Sequence, residues 1–430
     1  MKRKFTLVIA LIFIIQSIVL SQGCLPEGIT FTTQAEIDSF QANYPNCTEI
    51  EGDVIISGTD ITNLSGLDVL TSFGADVSIW NNDLLENLSG LENITSLGGN
   101  LEIGDHFHGG NPSMTSLSGL DNLASVEGHF YIKLNYELEN LEALNNLNSI
   151  GGHLSIVRCD VLINLVGLEN LNSIGDYIEI YKNASLINLY GLESLSNIGS
   201  DVRILENPIL VNLIGLENIT SIDRKLWIYH NDSLTNLIGL NNITAINENI
   251  EIAGNNSLYD LSGLDNLNSI NGDIYIVNNN SITSLSGLDS IETVNYIYID
   301  NNPSLSICDV EGICNYISNP NSQIHIENNS DGCNSKEEVE EACDEAGVVD
   351  TYFESLVSIY PNPAKNEIFI SSKNGVKIEE VSIYNHIGQK VLYKRENSTQ
   401  IDISILEQGI YIIELVSKEL KVRKKLIIKE

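Results

Sequence analysis

Residues 175–192 read Gly-Asp-Tyr-Ile-Glu-Ile-Tyr-Lys-Asn-Ala-Ser-Leu-Ile-Asn-Leu-Tyr-Gly-Leu, and this stretch displays the unit from which most of the chain is built. The unit is anchored by a Leu-x-Gly-Leu step, which begins at Leu64, Leu88, Leu117, Leu141, Leu165, Leu189, Leu213, Leu237, Leu261 and Leu285. The step recurs every 24 residues, except for one interval of 29 after Leu88, and Ala143 replaces the glycine in one copy. A fixed period over so many copies predicts a solenoid in which each repeat forms one coil.

The other positions of the unit predict how one coil folds. An alternating apolar pair, such as Ile178 and Ile180, is typical of a half-buried β-strand. Apolar residues at steps of three, such as Leu192, Leu195 and Ile198, fit a tight 3₁₀-like or β-helical side better than an α-helix. The strand pairs from Val54 to Ile326 therefore predict about twelve coils that share one continuous core.

An asparagine follows three residues after the strand pair in many units, at Asn135, Asn183, Asn207, Asn231, Asn255, Asn279, Asn302 and Asn329. Its amide is placed at an inward corner, where it can bond to the backbone of the coils above and below. We therefore predict a buried asparagine ladder. Cys159 occupies the same position 24 residues before Asn183, which favours a buried structural thiol over a catalytic one.

These motifs resemble the leucine-rich repeat and, more closely, the receptor L domain of the insulin and epidermal growth factor receptor ectodomains. The resemblance covers residues 24 to about 343 and rests on the order strand, asparagine, leucine, Leu-x-Gly-Leu. It implies a right-handed leucine-rich-repeat-like β-solenoid that serves as a binding scaffold without catalysis. The chain departs from the family in having more coils than one L domain and no evident convex α-helix.

The N-terminus has the features of a secretory signal. Residues 1–23 contain a basic start at 2–4, an apolar run over 5–20 and small residues at the end, which predicts a cleaved signal peptide rather than a membrane anchor. Cys24 raises lipidation as an alternative, although Leu20 stands one place too early for the usual lipobox. The mature chain is therefore predicted to have no membrane span.

Six cysteines flank the repeats. Cys24 and Cys47 bracket a segment before the first coil, which predicts a disulfide in a cap over the open end of the core. Cys308, Cys314, Cys333 and Cys343 lie at the other end and allow three pairings. Likeness to the C-terminal caps of extracellular leucine-rich repeats implies Cys308–Cys333 and Cys314–Cys343. This usage of cysteine is typical of an oxidising, exported context.

The repeat pattern stops after residue 343. Residues 344–356 are predicted to be a linker, and residues 357–430 contain short alternating strands that predict a small Ig-like β-sandwich. This tail resembles the type A C-terminal sorting domain of the Bacteroidetes type IX secretion system in Tyr360, Pro361, Asn362, Pro363, Gly388, Gly409 and Tyr411 and in the closing residues 424–429. The resemblance implies the secretion machinery as a partner and passage across the outer membrane, followed by release or surface attachment.

Charge separates the two parts of the chain. Residues 24–350 contain 7 Lys and Arg against 48 Asp and Glu, a balance of −41, whereas residues 351–430 have a balance of +2. A body this acidic repels nucleic acid and anionic lipid. It could attract Ca²⁺, but no complete calcium-loop spacing occurs, and we favour a solvated acidic surface.

The sequence predicts no catalytic residue, cofactor or metal site. It contains no nucleophile elbow, phosphate loop or His-Glu-x-x-His motif. His106 and His108, in the insertion of the one long repeat, could ligate a metal, but a solvent loop is favoured. A polysaccharide-degrading β-solenoid enzyme is an alternative. In such an enzyme, we expect paired carboxylates or basic residues to interrupt the repeat pattern in a few coils.

The outward residues of the strands are the candidate binding surface, because side chains alternate along a strand. They are Ser78, Trp80, Tyr131, Lys133, Ser155, Val157, Glu179, Tyr181, Arg203, Leu205, Trp227, Tyr229, Glu251, Ala253, Tyr275, Val277 and Tyr298. The densest group is Tyr181, Arg203, Trp227 and Tyr229, with His230 beside it. We therefore expect an exported recognition or adhesion protein that binds a protein or a glycan. A purely structural surface stalk is the alternative.

Overall fold

The computed structural model describes residues 23–319, 321–345, 357–372, 377–385, 389–395, 399–417 and 420–429. These residues group into two compact units that divide after Leu258. No helix in the described ranges is long and apolar enough to cross a membrane. Residues 1–22 of the predicted signal peptide, residues 346–356 of the predicted linker and Gly388 of the sorting motif lie outside the described residues.

The first unit is a β-solenoid whose long strands form one parallel sheet, with one strand in each coil. These strands are β2 (Ile29–Phe31), β4 (Val54–Ile56), β6 (Val77–Ile79), β8 (Leu101–Ile103), β10 (Phe130–Lys133), β12 (Leu154–Val157), β14 (Ile178–Tyr181), β16 (Val202–Leu205), β18 (Leu226–Tyr229) and β20 (Ile250–Ala253). Equivalent repeat positions pair in register, as Ile180 does with Ile204 and Ile204 with Ile228. The predicted stacking of coils is therefore confirmed.

Short two-residue strands close a second side of each coil. They are β1 (Gly23–Cys24), β3 (Glu49–Ile50), β5 (Ser72–Phe73), β7 (Ser96–Leu97), β9 (Ser125–Val126), β11 (Ser149–Ile150), β13 (Ser173–Ile174), β15 (Asn197–Ile198), β17 (Ser221–Ile222) and β19 (Ala245–Ile246). Between them, apolar residues at steps of three form tight turns, in which Leu192 N–H donates to Leu189 O at 3.2 Å and Leu195 N–H to Leu192 O at 2.9 Å. All of these leucines are buried.

The asparagine ladder is present, and its members are buried except for Asn329 at its C-terminal end, which is partly exposed. Asn207 Nδ2 donates to Ile180 O at 2.9 Å, and its Oδ1 accepts from the backbone N–H of Asn183 at 3.0 Å. Asn82 and Asn111 extend the ladder beyond the predicted members, since Asn82 Nδ2 donates to Asn111 Oδ1 at 2.9 Å. Cys159 takes a ladder position as a free, buried thiol.

Glycine is needed at most anchor positions for a steric reason. Gly191 has a φ of +113°, and a Cβ there would lie 1.9 Å from Leu165 O of the preceding coil. The same close approach recurs at other anchors, so the glycine is required by the stacking itself. Ala143 differs from Gly191 in that its φ is not positive, and its step forms a 3₁₀ turn, Glu142–Leu144. A second 3₁₀ turn spans Ser65–Leu67.

The segment before the first repeat covers the end of the core. It contains the short helices α1 (Gln34–Asp38) and α2 (Phe40–Asn43), and the Cys24–Cys47 disulfide joins its ends. Phe40 is buried, with its ring centroid 5.9 Å from that of Phe31. Strand β2 adds a coil that the sequence pattern did not predict.

The second unit begins with coils of the same kind. They contribute β21 (Ser269–Ile270), β22 (Asp273–Val277), β23 (Tyr296–Asp300) and β24 (Gln323–Glu327). The described residues thus contain thirteen long solenoid strands rather than the expected twelve or so. Helices α3 (Glu311–Ile317) and α4 (Lys336–Glu345) follow. The Cys308–Cys333 and Cys314–Cys343 disulfides tie this segment together.

The tail is a small β-sandwich, as predicted. One antiparallel sheet contains β25 (Val357–Tyr360), β26 (Glu367–Ser372) and β29 (Gln400–Asp402). The other has the order β28 (Lys390–Arg395), β27 (Glu380–Tyr384), β30 (Gly409–Ser417) and β31 (Leu420–Ile428). Ile368 and Ile401 of the first sheet share one buried core with Ile383, Ile413 and Leu426 of the second.

Candidate recognition surface

The outward residues of strands β10 to β20 form a half-exposed surface, which we call the strand face. Parallel, in-register pairing stacks equivalent positions, so that Glu179, Arg203, Trp227 and Glu251 form one column across four coils. The expected alternation holds along most strands. It fails on β12, where Ser155 and Val157 were expected outside but are buried. Ser155 Oγ donates to Glu179 Oε2 at 2.7 Å, which places the serine against the neighbouring glutamate side chain.

Arg203 is the centre of the predicted cluster. Its Nη2 lies 2.5 Å from Asp201 Oδ2, which fixes the guanidinium close to the sheet. The guanidinium carbon lies 4.1 Å from the centroid of the Tyr177 ring and 5.0 Å from that of Trp227. Arg203 therefore bridges two aromatic rings by cation–π contacts.

Trp227 and Tyr229 are held by one carboxylate. Trp227 Nε1 donates to Glu251 Oε1 at 3.1 Å, and the Tyr229 hydroxyl donates to Glu251 Oε2. The two rings lie nearly parallel, with centroids 6.2 Å apart. Burial and the hydrogen bond to Glu251 raise the pKa of Tyr229 above its usual range, so the hydroxyl stays protonated. The polar atoms of both rings are thus satisfied within the protein.

Tyr181 and His230 lie outside this contact network. Leu205 separates Tyr181 from Tyr229 in the sheet register, and the Tyr181 ring contacts Lys182, whose Nζ lies 4.8 Å from the ring centroid. His230 lies in the turn after β18 with a φ of +54°, and its ring packs against Gly254. The structure therefore brings together three of the five predicted residues, Arg203, Trp227 and Tyr229.

A column of rings that the sequence reasoning missed continues the cluster. His129, His153 and Tyr177 each precede the first inward residue of a strand. The rings of His129 and His153 stack at 3.9 Å, and those of His153 and Tyr177 at 4.1 Å. Their spacing of 24 residues was a readable signal. We use the name aromatic stack for His129, His153, Tyr177, Arg203, Trp227 and Tyr229.

His153 is the buried member of the stack, with 5% of its surface exposed. Burial, together with His129, Lys133 and Arg203 nearby, lowers the pKa of His153 to about 3. Its Nε2 lies 3.3 Å from the Tyr177 hydroxyl, and its Nδ1 is buried without a hydrogen-bond partner among the described residues. The ring is therefore neutral at physiological pH and acts as a stacking element.

The insertion in the long repeat lies beside the strand face. Asp105 and Gly109 pair by two backbone hydrogen bonds, which closes a tight hairpin. His108 stacks on Trp80 with ring centroids 4.3 Å apart, and its Nδ1 contacts the Asp105 carboxylate. The insertion is therefore an ordered hairpin packed on Trp80.

The basic residues of the acidic body are concentrated near this surface. Six of the seven between residues 24 and 350 lie on or next to β10 to β18: Lys133, Arg158, Lys182, Arg203, Arg224 and Lys225. Four of the six have a carboxylate partner, at N–O distances of 3.9 Å for Lys133 with Glu102, 3.3 Å for Lys182 with Glu206, 2.5 Å for Arg203 with Asp201 and 3.0 Å for Arg224 with Glu248. The strand face is thus less acidic than the rest of the body.

A second exposed surface was not predicted. Ile163, Ile187 and Val211 occupy the same repeat position in three consecutive coils and are 38–52% exposed. Tyr190 and Ile238 are exposed at the variable position of the anchor step. We call these five residues the apolar stripe. Contiguous exposed apolar residues of this kind often mark contact surfaces.

In the second unit, Asp300, His325 and Glu327 are the one group among the described residues with metal-ligating atoms close enough to hold an ion, within 4.8 Å of one another. Asn328 Nδ2 donates to Asp300 Oδ1 at 2.8 Å, and Asn301 Nδ2 to Asp300 Oδ2 at 2.9 Å. The His325 ring stacks on Tyr298 at 4.4 Å. Protein contacts thus hold Asp300 and His325 in place.

The sorting motif of the tail joins its first and last strands. Asn362 Nδ2 donates to Lys425 O at 2.7 Å, and Ile427 N–H donates to Asn362 Oδ1 at 2.9 Å. Tyr360 stacks on Phe369 with ring centroids 5.7 Å apart, and the Tyr411 hydroxyl donates to Glu407 O at 2.9 Å. The Asn362 side chain therefore ties the C-terminal strand to the start of the sandwich.

Comparison with known families identifies this tail. The model of the secretion system C-terminal sorting domain matches residues 358–429. No curated protein matches the chain. The likeness of the body to leucine-rich repeats and receptor L domains stays a prediction. The chain thus carries a type IX C-terminal sorting domain at residues 358–429, which indicates export across the outer membrane to the cell surface or the extracellular space.

Proposed function

We propose that the exported protein is a recognition or adhesion protein, which binds a glycan or a protein through the strand face of its solenoid. The observation that carries this proposal is the aromatic stack, which runs across five consecutive coils on a half-exposed surface. Large rigid rings contribute contact area to a ligand at little cost in conformational entropy.

A purely structural role for the rings is the main alternative. Aromatic residues favour strands, and cross-strand pairs stabilise a sheet by about 0.2–1 kcal/mol each. The solenoid core, however, is already filled by Leu, Ile and Val residues from every coil. The stack also includes Arg203, a charged residue with an aspartate partner, where an apolar residue would stabilise the sheet more simply. These features support a binding role.

We also infer that the protein is not an enzyme. On the strand face, Glu251 is engaged by Trp227 and Tyr229, and Glu179 accepts a hydrogen bond from Ser155. Because its pKa is lowered so far, His153 would be a poor general acid or general base near neutral pH. The regular coils in this region match a scaffold better than a catalytic cleft.

The apolar stripe favours a second candidate function, assembly into a surface structure. Backbone hydrogen bonds stack its members directly, with Ile187 N–H donating to Ile163 O and Val211 N–H to Ile187 O, both at 3.0 Å. In this case the protein would be a surface stalk in which the stripe packs against another protein. The sorting domain and export are compatible with both candidates.

An array of glycans and extracellular proteins, probed with the full-length secreted protein, tests the proposal. We expect selective binding by the wild type and a loss of at least about tenfold for Arg203→Ala, which removes the link between two rings. Ile187→Ser, on the apolar stripe, is the matched control and should bind normally. Binding lost by Ile187→Ser and kept by Arg203→Ala would support the stalk and contradict recognition by the strand face.

A further inference from the structure

We propose that Asp300, His325 and Glu327 bind a divalent transition-metal ion of the Zn²⁺ type, which ties the last long strand of the solenoid to the coil before it. Asp300 ends β23, whereas His325 and Glu327 lie on β24. The ligands are one imidazole nitrogen and two carboxylate oxygens, a set that suits Zn²⁺. The site is separate from the aromatic stack and does not depend on a ligand at the strand face.

Asp300 is a buried carboxylate without a cationic partner. It is 8% exposed, and no Lys or Arg in the described part of the chain forms an ion pair with it. Its donors are neutral: Asn328 Nδ2 at 2.8 Å, Asn301 Nδ2 at 2.9 Å and the Tyr298 hydroxyl at 3.3 Å. In the sheet it stands opposite Glu327, a second carboxylate that repels it. A cation shared by the two carboxylates would offset both the burial of charge and this repulsion.

His325 places a nitrogen atom beside these carboxylates. Its Nε2 is buried and makes no hydrogen bond to the described residues, although it lies 3.2 Å from Glu327 Oε1. Stacking on Tyr298, with the ring planes 8° apart, holds the imidazole in this position. A protonated His325 that pairs with Glu327 would explain the short distance but would leave Asp300 without a counter-ion. A neutral imidazole that shares a metal ion with both carboxylates accounts for all three side chains.

The spacing of the three ligand atoms fits one ion. Bonds from Zn²⁺ to nitrogen or oxygen are about 2.0–2.2 Å, so two ligands of a tetrahedral ion lie about 3.3–3.6 Å apart. The His325 and Glu327 atoms are close to this distance, and all three ligand atoms lie within 4.8 Å of one another. The Glu327 side chain is 56% exposed, so it can rotate to close the set. The amides of Asn301 and Asn328 orient the Asp300 carboxylate before an ion arrives.

Charge and ligand type favour Zn²⁺ over Ca²⁺. Residues 259–345 contain one basic residue, Lys336, against 16 Asp and Glu, a balance of −15. Lys336 Nζ itself lies 3.4 Å from Glu340 Oε1. This part of the solenoid therefore attracts cations. Ca²⁺ and Mg²⁺ take oxygen ligands, whereas imidazole suits Zn²⁺ and its transition-metal neighbours.

An ion at this site would stabilise the end of the solenoid sheet. Strand β24 is the last of the thirteen long strands and has one neighbour in the sheet, β23. A strand at an edge opens more readily than a central one. Because the ligands come from both strands, the ion must be released before β24 opens. Opening should therefore become rarer by a factor of one plus the ratio of free Zn²⁺ to its Kd, or about a hundredfold at 100 times the Kd.

Hydrogen exchange of the full-length protein, stripped of metal with a chelator, tests this proposal. Zn²⁺ or Ca²⁺ alone would be added, with the Kd taken from isothermal titration calorimetry. His325→Phe keeps a ring on Tyr298 and removes the nitrogen, Glu327→Gln removes one carboxylate charge, and the exposed Glu292→Gln is the matched control. With Zn²⁺ in excess, exchange of the β24 amides should slow at least about tenfold in wild type and Glu292→Gln, but less than about twofold in the two ligand variants.

The contrary outcomes are distinct. Absence of Zn²⁺ binding by calorimetry, or binding that leaves β24 exchange unchanged, would overturn the site. Equal protection by Zn²⁺ in His325→Phe and Glu327→Gln would show that the ion binds the acidic surface in general, which also overturns it. Stronger protection by Ca²⁺ than by Zn²⁺ would overturn the class of metal. Matching exchange of β18 and β20 in all proteins without metal shows that the variants are folded.

Discussion

Replacing Cys159 by asparagine should stabilise the solenoid, because Cys159 interrupts the buried asparagine ladder. The thiol lies between Asn135 and Asn183 and is fully buried. Its Sγ is 3.8 Å from Ile132 O and 3.9 Å from Val157 O, which are weak contacts for a thiol donor. An asparagine already fits the equivalent site in the neighbouring coils, so Cys159→Asn should not overpack the core.

The magnitude follows from the neighbouring ladder members. Asn183 Nδ2 donates to Ile156 O at 3.0 Å, and Asn207 Nδ2 donates to Leu205 O at 3.0 Å. Asn207 Oδ1 also accepts from the backbone N–H of Asn183 at 3.0 Å. An asparagine at 159 would gain three equivalent bonds, each with a net contribution of about 0.5–1.5 kcal/mol. Allowing for the weak thiol contacts that are lost, we expect about 1–3 kcal/mol of added stability.

Hydrogen exchange of the full-length protein, with its disulfides intact, is the suitable assay. Repeat arrays need not unfold in one step, so the free energy of local opening of β12 and β14 is more informative than a single midpoint. Asn207→Cys is the mirror variant and should lose a similar amount. An unchanged or lower opening free energy in folded Cys159→Asn would refute the idea that the ladder hydrogen bonds stabilise the stack.

Four further predictions test other parts of the structure. Gly191→Ala should lower the thermal midpoint strongly or prevent secretion, since its Cβ would clash with Leu165 O, whereas Ala143→Gly should change little. Alkylation of the native protein should label no cysteine, because burial raises the pKa of Cys159 to about 12, and alkylation after unfolding without reduction should label Cys159 alone. The unfolded chain protonates His153 near pH 6.5, whereas the folded chain protonates it only near pH 3. Its contribution to the free energy of unfolding should therefore be lost as the pH falls through that window. Between about pH 7 and pH 4, the free energy of unfolding should fall more for the wild type than for His153→Phe. Truncation after Asp350 should leave the protein in the periplasm of a type IX-competent host, and surface display of the truncated form would contradict the role of the tail.

Most of the solenoid could be predicted from the sequence because burial imposes the same pattern on every coil. The strand pair, the asparagine and the Leu-x-Gly-Leu step each occupy one structural position, so their period fixes the register of the stack. Strand β2 was missed because its segment has no anchor step and no ladder asparagine. The short strands such as β15 were missed because two residues are too few to show alternation.

The candidate site could be predicted only in part. Alternation along a strand placed Arg203, Trp227 and Tyr229 correctly, since their outward direction follows from the inward isoleucines. The turn at His230 depends on a left-handed backbone conformation that a histidine does not signal in the sequence. His129, His153 and Tyr177 were missed because only the residues between and just after the inward pair were considered as outward positions. The contacts of Arg203 depend on its rotamer, which the sequence does not specify.

Oxidative footprinting of the full-length protein tests most directly whether the strand face is the contact surface. Hydroxyl radicals would modify exposed rings with and without the ligand found on the array, and mass spectrometry would quantify each site. The proposed recognition function predicts protection of Tyr177, Trp227 and Tyr229 and unchanged labelling of Tyr190. Protection of Tyr190 with unchanged labelling of Trp227 and Tyr229 would contradict it.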